Sequence, residues 1–484
     1  MPFKTIIQFV KNRWSCEGGY REVLILAFPL IVSTGAWSVQ HFVDRMFLTW
    51  YAPEAIAAVT PAGMLNFTIM SLFIGTASYV NTFVAQYHGA KMFERIGPAL
   101  WQGLYVAVIG GLLHFLLIPL AGNIFSFIGH NKLVQQYETR YFQILCMGAA
   151  PCIASHVMSG FFSGRGKTWH VMWVYVFVTI VNIILDYLLI FGKAGFPELG
   201  VTGAGIATVS ALCFSFCTFF IMFSLRKYRI KYHTLSGWRM QFPLLRRILR
   251  YGFPNGVQFF LEMAGFTTFI LLIGRKGLHF LAASNIAMNI NTIAFLPMIG
   301  MGMAISILVG QYLGKKNPDM AEKCVYSGFH MTISYMATIA ALYVFVPNLF
   351  LAPYAAQANT ESFDIIHDIT VVILRFVAFY SIFDALNIVF SYAIKGAGDT
   401  RYVMNVIIVD SLFVLVIPSF VALVLLDAHI YWGWAFASVF IVILGIMFTL
   451  RFRGGIWKSM LVIENVPPSV PPSLPEVPVF DIEP

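Results

Sequence analysis

The sequence contains little charge. Asp, Glu, Lys and Arg make up 11% of its 484 residues, whereas 59% of the residues are hydrophobic. A soluble globular chain devotes about a quarter of its residues to charge in order to cover its surface. The shortage of charge therefore excludes a soluble domain and predicts a protein that lies mostly in lipid.

Motifs for metal ions, nucleotides and secretion are also missing. The six cysteines have no metal-ligand spacing, and Cys213 and Cys217, one turn apart in an apolar run, are typical of packing. The Gly-x-Gly sequences follow no predicted strand, so they lack the context of a phosphate-binding loop, and direct drive by ATP is not expected. The first 20 residues contain no apolar core before a small-residue cleavage site, so no cleaved signal is predicted.

Long apolar runs are abundant instead. Each is about 20 residues or more, enough for a helix to cross about 30 Å of hydrocarbon. Uninterrupted runs of this length exclude a membrane β-barrel. They lie at roughly 22–46, 56–83, 98–120, 138–161, 169–192, 203–225, 247–273, 281–309, 324–347, 366–394, 402–426 and 429–450. We therefore expect an all-α polytopic membrane protein with 12 transmembrane helices.

The chain also repeats itself. Three short motifs return 225 residues later: Phe28-Pro29 as Phe253-Pro254, Ala57-Ala58 as Ala282-Ala283, and Val84–Gly89 as Val309–Gly314. Gly164–Thr168 returns as Gly396–Thr400 at an offset of 232 residues. Many transporters are built from two copies of one unit, with the substrate path between them. The repeat predicts two six-helix bundles, at 20–225 and 247–450, related by a pseudo-twofold axis.

Basic residues are distributed unevenly around these runs. Eight lie between Arg226 and Arg250, whereas the loops on the opposite side hold only Lys132, Lys193, Arg275 and Lys276. By the positive-inside rule, both termini and the basic linker at 226–246 are predicted to be cytoplasmic. A contact with anionic lipid is an alternative reason for the basic linker. No nucleic-acid partner is expected.

Two terminal segments remain outside the lobes. Residues 1–19 form a cytoplasmic N-terminal segment, and residues 451–484 form a cytoplasmic tail. The last 20 residues contain the prolines at 467, 468, 471, 472, 475 and 478, and such a composition does not form a helix. We expect this tail to be disordered.

Taken in order, the motifs resemble those of the multidrug and toxic compound extrusion transporters, in particular their NorM-like bacterial branch. The resemblance spans nearly everything from residue 20 to 450. It is carried by the helix from Phe28-Pro29 to Asp44, by Ala57-Ala58, Val84–Gly89, Asn182–Tyr187, Gly200–Thr208 and Gly396–Thr400. The chain departs from the family pattern at Arg45, Thr49 and Trp50, and at the more basic turn with Arg165 and Lys167.

Five acids lie inside apolar runs: Asp44, Asp186, Glu262, Asp384 and Asp410. An Asp at the centre of a membrane helix costs about 2.5–3.5 kcal/mol on insertion, so it persists where it is protonated, paired or facing water. Glu262 aligns with Trp37 in the first repeat. Asp384 aligns with Cys152. Because the scaffold repeats and these acids do not, we expect the acids to serve energy coupling. The alternative is that they form buried hydrogen bonds between helices.

Helical spacing places polar partners beside three of these acids. Tyr380 precedes Asp384 by one turn, and Gln258 precedes Glu262 by one turn. Asn182 stands in the same relation to Asp186. A buried carboxyl can exchange a proton near the working pH, whereas two carboxylates with further oxygen ligands can hold a cation such as Na⁺. Asp410 has no such partner acid and is, with Gln258, an additional candidate.

The resemblance implies a role for each group. Glu262, Tyr380 and Asp384 match the family's cation-binding acids and their tyrosine neighbour, and they would bind the metal ion if the protein is coupled to Na⁺. Asp44, Asn182 and Asp186 match its proton-relay site.

We therefore expect a monomeric antiporter of a bacterial inner membrane, coupled to Na⁺ or H⁺, that exports amphiphilic organic cations and drugs by alternating access. No resident cofactor and no enzymatic activity are expected. A flippase for lipid-linked saccharides shares the architecture, but it would favour a basic cavity. A membrane-embedded enzyme would need a metal motif or a nucleophile–base pair. A channel would need a repeated pore loop with a ring of charges.

Overall fold

The computed structural model describes residues 11–355 and 360–464. The start of the expected N-terminal segment and the proline-rich end of the tail lie outside this range. Within it, the chain is helical and contains no strand.

Twelve membrane spans follow one another along the described chain. They are α1 (Tyr20–Tyr51), α2 (Pro53–Gly89), α3 (Phe93–Phe127), α4 (Lys132–Met147 with Ala149–Ser163), α5 (Thr168–Phe191), α6 (Val201–Phe223), α7 (Phe242–Gly274), α8 (Leu278–Gly314), α9 (Pro318–Phe345), α10 (Phe363–Ala397), α11 (Thr400–Leu425) and α12 (Ile430–Arg453). Eleven are single helices long and apolar enough to cross a membrane, and α4 is a pair bent by 44° at Gly148. The expected all-α fold with 12 spans is confirmed.

Local sequence accounts for where several spans begin and end. The Asn131 side chain accepts a hydrogen bond from the backbone nitrogen of Val134 at 2.9 Å and so caps the start of α4. Asn317 caps α9 in the same way through Met320. At the other end of a helix, Gly192 closes α5 with a positive φ of 62°, a conformation that glycine adopts without strain.

The second half of α11 is irregular. The helix changes to π geometry over Ser411–Val416, returns to α geometry around Pro418, and is π again over Val421–Leu425. Proline lacks the backbone N–H that an α-helix uses, so the hydrogen-bond ladder is interrupted here. Such π segments occur often at functional sites, and this one begins directly after Asp410.

Each half of the chain buries its own apolar core. One large cluster joins α7–α12 through residues such as Phe269, Trp434 and Phe448. Two clusters fill α1–α6, one around Phe83, Phe161 and Phe223 and a smaller one around Phe125 and Phe142. The beginning of α1 packs into the core of the second half, so the lobes exchange contacts at this point.

The lobes meet at the end of the molecule that carries residue 11 and residue 464, the two ends of the described chain, and we call it the terminal end. There α1 packs on α8, and α2 packs on α7. A Cβ added to Gly75 of α2 would lie 2.7 Å from Gly256, and one added to Gly300 of α8 would lie 2.7 Å from the backbone of Ile31. Gly75 and Gly300 are related by the repeat, so one close helix approach is used twice, as pseudo-twofold symmetry requires.

Two segments that the sequence assigned to linker and tail are structured. Arg226–Tyr232 forms a short helix, and α7 already begins at Phe242, inside the expected linker. The indole of Trp101 donates to the carbonyl of Thr234 at 2.6 Å, which fastens the linker to the first lobe. Beyond α12, residues 456–464 pack against the terminal end. The expectation of disorder throughout 451–484 is therefore wrong for its first part.

This ordered piece, which we call the C-terminal strap (residues 456–464), contacts both lobes. Trp457, Val462 and Ile463 are buried. The backbone nitrogen of Val462 donates to Gln86 at 2.8 Å. The Glu464 carboxylate accepts a hydrogen bond from Tyr87 of the first lobe at 2.8 Å and pairs with Arg247 of the second lobe at 2.7 Å.

Candidate functional site

The first lobe brings three of the predicted polar residues together. Asp44 lies on α1, and Asn182 and Asp186 lie one turn apart on the neighbouring α5. All three side chains are buried. The Thr179 hydroxyl donates to the carbonyl of Ala36 at 3.3 Å and holds the two helices in register just before this cluster.

The Asn182 amide joins the two carboxyl groups. With its nitrogen turned toward the acids, it donates to Asp44 Oδ1 at 3.0 Å and to Asp186 Oδ2 at 3.1 Å. Asp186 also lies in the electrostatic field of Asp44. Two ionised carboxylates bridged by one amide in a buried position repel each other, and a proton on either of them removes this repulsion. The pair can therefore hold and release a proton.

Sequence reasoning missed one member of this cluster. The side chain of Gln40 lies 3.3 Å from the Asn182 amide and is buried. Gln40 precedes Asp44 by one helical turn, the same spacing that pointed to Gln258 and Asn182. The signal was present in the sequence.

The second lobe places its acids in two hydrogen-bonded groups, one on α7 and one centred on α10, that interact electrostatically. Gln258 Nε2 donates to Glu262 Oε1 at 3.1 Å on α7. On α10, Asp384 lies in the electrostatic field of Glu262, and Tyr380 lies in that of Asp384. The structure thus brings Glu262, Tyr380 and Asp384 into one region, as their predicted shared role requires.

Three further residues of the second lobe belong to this cluster. Asn387 Nδ2 donates to Asp384 Oδ1 at 3.1 Å, and Asn291 Nδ2 on α8 donates to the Tyr380 hydroxyl at 3.3 Å. The buried Lys395 acts electrostatically on Glu262, and its ammonium lies 4.1 Å from the Tyr392 ring centroid. The spacing of Asn387 from Asp384 is visible in the sequence. Asn291 and Lys395 join the cluster only through the packing of helices.

Free oxygen atoms in this region suit a small cation. Gln258 Oε1 and Asn291 Oδ1 are buried and have no hydrogen-bond partner among the described residues. Carboxylate, amide and hydroxyl oxygens are the ligands that hard cations prefer. In the ranges 11–355 and 360–464, no three His, Cys, Asp or Glu side chains are grouped to hold a metal ion. Any cation site here therefore depends on amide or hydroxyl oxygens beside the two acids.

Asp410 forms no hydrogen bond to either cluster. Its side chain is buried, and neither carboxyl oxygen has a hydrogen-bond partner in the described part of the chain. It stands at the junction between the α and π segments of α11. A buried carboxyl without partners costs free energy, so this position calls for either a functional reason or a neutral acid.

The acids of both clusters lie beyond the contact between the lobes, whereas Lys395 lies at that contact, where its carbonyl accepts a hydrogen bond from Tyr79 of the first lobe at 2.7 Å. Among the described residues, interlobe hydrogen bonds reach no farther from the terminal end than the one from Thr34 to the carbonyl of Leu296. Asp44 is ten residues past Thr34 on α1, which is about 15 Å at 1.5 Å per residue. Glu262 lies about one turn past Phe259, whose ring contacts Phe67 of the first lobe at 5.9 Å.

Comparison with known families gives a match in both repeats. The MatE family model matches residues 29–188 and 254–421. These two stretches contain all six predicted coupling residues together with Gln258 and Asp410. Each match falls within one of the two lobes.

Several curated bacterial proteins are similar over most of their length. The chain is 25% identical over 399 residues to a probable multidrug resistance protein NorM from Synechocystis, covering 82% of this chain and 86% of the relative. It is 27% identical over 395 residues to multidrug resistance protein PmpM from Pseudomonas aeruginosa, covering 79% and 80%.

Solved structures share the fold. A multidrug resistance MATE family transporter in an outward-facing conformation matches with a TM-score of 0.81 at 18% identity, covering 91% of this chain and 97% of that chain. The eukaryotic MATE transporter AtDTX14 matches with a TM-score of 0.78 at 18% identity, covering 90% and 96%. At these identities the likeness establishes the architecture and not the chemistry.

Proposed function

The chain belongs to the MatE family, and from this premise we propose that it is a cation-coupled antiporter that exports amphiphilic organic cations by alternating access. The relatives that cover most of the chain are named multidrug resistance proteins, which supports drugs as the exported class. They are bacterial, which supports a location in a bacterial inner membrane.

The observation that carries the proposal is the one-sided closure of the lobes. They are sealed at the terminal end by the α1–α8 and α2–α7 contacts, and the acids of both polar clusters lie past the last interlobe hydrogen bond. With the terminal end in the cytoplasm, this arrangement is the outward-open state of an alternating-access cycle. Ions from outside then reach the acids while the cytoplasm stays closed off.

In the second lobe, the proposed step is cation binding. Glu262 and Asp384 supply two carboxylates, and the free oxygens of Gln258 and Asn291 complete a set of hard ligands. A single Na⁺ or H⁺ at this point offsets one of the two like charges of Glu262 and Asp384. That charge change weakens the repulsion between α7 and α10 and so biases the two states of the lobe.

In the first lobe, the proposed step is protonation of the Asp44–Asp186 pair. A second proton on this pair removes its remaining negative charge, and the Asn182 amide can hydrogen-bond to either form. The loss of this charge favours release of a cationic drug. Inward movement of each positive charge supplies about 2.3 kcal/mol per 100 mV of membrane potential.

The test is transport by the purified protein in liposomes. Ethidium transport is measured with an imposed Na⁺ gradient, with an imposed pH gradient, and with neither, and the ethidium is then recovered for mass analysis. We expect gradient-dependent transport of unaltered ethidium. Transport at the same rate without any gradient would disprove coupling, and chemically altered ethidium would point to an enzyme.

A further inference from the structure

An apolar groove runs along the outer surface of the first lobe, between α5 and α6. It has a volume of about 470 Å³. It is lined by Trp169, His170, Trp173, Val174, Phe177, Phe214, Thr218 and Met222. These residues come from the first three turns of α5 and the last turns of α6, so the groove starts at the terminal end. It extends about 13 Å along the helices.

A buried guanidinium lies behind the part of this groove that is nearest the terminal end. Arg165, in the turn before α5, is 7% exposed. Its carbon Cζ lies 3.6 Å from the ring centroid of Phe161 and 4.6 Å from that of Tyr228. Its Nε donates to the carbonyl of Phe161 at 2.6 Å, whereas its Nη2 has no hydrogen-bond partner among the described residues. One donor of a permanently charged group is therefore left unsatisfied.

Arg165 is connected to the groove through Phe162. The Phe162 ring lies 5.3 Å from Arg165 Cζ and stacks on the ring of His170 with centroids 5.7 Å apart. His170 in turn lines the groove. Arg165, Lys167 and Lys227 all act electrostatically on the His170 ring, and both lysines are exposed.

Nothing nearby in the sequence balances this charge. Residues 164–185 and 224–250 contain no Asp or Glu. The first turn of α5 adds backbone N–H groups, which attract anions at a helix N-terminus. Lysine and arginine bind phosphate oxygens by charge-assisted hydrogen bonds. The groove therefore has a cationic, phosphate-binding end and an apolar body.

We propose that an anionic phospholipid of the cytoplasmic leaflet binds here. Its phosphate and headgroup contact Lys167, Lys227 and the first turn of α5, in the field of Arg165. One acyl chain lies in the groove against Trp173 and Phe177. Anionic lipid is the occupant that fits both ends, because a free phosphate leaves the groove unfilled and an uncharged lipid leaves the cations unpaired.

The first experiment tests the headgroup contact. The full-length protein in nanodiscs is labelled with photoreactive phosphatidylglycerol or photoreactive phosphatidylcholine, each with its reactive group in the acyl chain. We expect phosphatidylglycerol to label groove peptides preferentially, and Lys167→Ala/Lys227→Ala to reduce this labelling about fivefold or more. Arg401→Ala/Arg453→Ala removes two exposed cations of the second lobe at the same end and should leave the labelling unchanged.

The second experiment tests the acyl chain and the source of the phosphate. Thr218→Trp fills the groove without changing charge, whereas Ile221→Trp adds the same bulk to an exposed position of α6 outside the groove lining. Only Thr218→Trp should abolish the labelling, and excess glycerol phosphate should not compete.

Three results would each overturn the proposal. They are equal labelling by both lipids, equal loss in the two double variants, and full labelling of Thr218→Trp. Complete competition by glycerol phosphate would assign the basic cluster to a free anion instead.

Discussion

Gln86 and Gln311 close the terminal end by reciprocal hydrogen bonds. Gln86 Nε2 donates to the carbonyl of Gly396 in the second lobe at 3.1 Å, and Gln311 Nε2 donates to the carbonyl of Gly164 in the first lobe at 2.8 Å. The two donors are related by the repeat, and so are the two acceptors. The lobes therefore share one self-complementary interface, as a twofold axis requires.

The glycines beside this pair set how closely the lobes approach. A Cβ added to Gly89 would overlap the carbonyl oxygen of Gln311, and one added to Gly314 would overlap that of Gln86. Gly89→Ala/Gly314→Ala should therefore hold the terminal end open and abolish transport. Spin labels at the repeat-related Lys91 and Lys316 should show a longer distance by pulsed electron resonance. An unchanged distance would contradict this account of the closure.

The control for this variant is Gly35→Ala. Gly35 lies within α1, and a Cβ there would meet nothing within 4 Å. Alanine has a higher helix propensity than glycine. Transport by Gly35→Ala should therefore be normal, which separates crowding at the interface from the general effect of the substitution.

Detachment of the C-terminal strap should destabilise the closed terminal end. Val462 is 1% exposed and faces both lobes, so Val462→Asp buries a carboxylate or expels the strap. We expect a melting temperature several degrees lower and faster trypsin cleavage at Lys458. Ser459→Asn, at an exposed position of the same segment, should change neither quantity. If Val462→Asp melts like wild type, the strap has no structural role.

The attachment of the strap should depend on acid pH through Glu464. Burial by itself raises the pKa of Glu464. Hydrogen bonds from its own backbone and from Tyr87, together with the positive charge of Arg247, have a larger effect in the opposite direction. The pKa of Glu464 therefore lies below its ordinary value of 4.5. When folding lowers the pKa of a carboxyl group, the ionised group stabilises the folded state at every pH above the pKa that it has in the unfolded chain. This stabilisation is lost as the pH falls through the pKa that the group has in the folded protein. The rate of trypsin cleavage at Lys458, divided by the rate for an unfolded peptide with the same cleavage site, should thus be constant from pH 7 to about pH 5. Glu464→Gln should cleave faster across this range; equal cleavage would contradict a role for the ionised carboxylate.

The second-lobe acids should be essential for driven efflux. Glu262→Gln and Asp384→Asn keep size and hydrogen bonding but remove a carboxylate, so both should reach the membrane and lose gradient-driven transport by about tenfold or more. Tyr380→Phe should weaken the apparent Na⁺ affinity, if Na⁺ is the ion, with a smaller loss of maximal rate. Asp427→Asn, an exposed acid outside the spans, is the matched control. Wild-type efflux by a well-expressed Asp384→Asn would reject the assignment.

Asp44 and Asp186 should differ in importance although the same Asn182 amide bridges them. Asp44→Asn mimics the protonated state and Asp44→Ala removes the group, so both should stop efflux, with better folding of the Asn variant. Asp186→Asn should be milder because Asn182 can still hydrogen-bond to its amide. Glu54→Gln, at an exposed position near the start of α2, should transport normally.

Drug binding separates two roles for Asp44. If Asp44 is a proton switch, purified Asp44→Asn should bind ethidium at neutral pH with near-normal affinity while failing to transport it. Strongly weakened binding would show instead that Asp44 is the counter-ion of the drug. Normal transport would remove any essential role.

Asp410 should be replaceable by an apolar residue. Both of its oxygens are buried without a hydrogen-bond partner in the described chain, and an unsatisfied buried polar group costs about 1–3 kcal/mol. Asp410→Leu should therefore raise the melting temperature and keep transport. Loss of transport in a more stable Asp410→Leu would make this acid a third coupling group.

Residues on a single helix were largely readable from the sequence. The one-turn spacing of Gln258 and Glu262 corresponds to a hydrogen bond of 3.1 Å, and the spacing of Asn182 and Asp186 corresponds to one of 3.1 Å. Gln40 and Asn387 follow the same rule and were overlooked. The strap was also signalled, since Leu461, Val462 and Ile463 form an apolar cluster just before the prolines.

The sequence by itself determined the twelve spans, the repeat, and the acids that the repeat does not explain. Apolar length and helical periodicity are local properties of the chain, and a repeat is visible as a constant offset. Only the tertiary structure decided that Asn291 and Lys395 join the second cluster, that Arg165 lies behind a groove, and that the strap covers the terminal end. Such contacts depend on how separate helices are rotated and tilted against one another, and that choice is made by packing over the whole molecule.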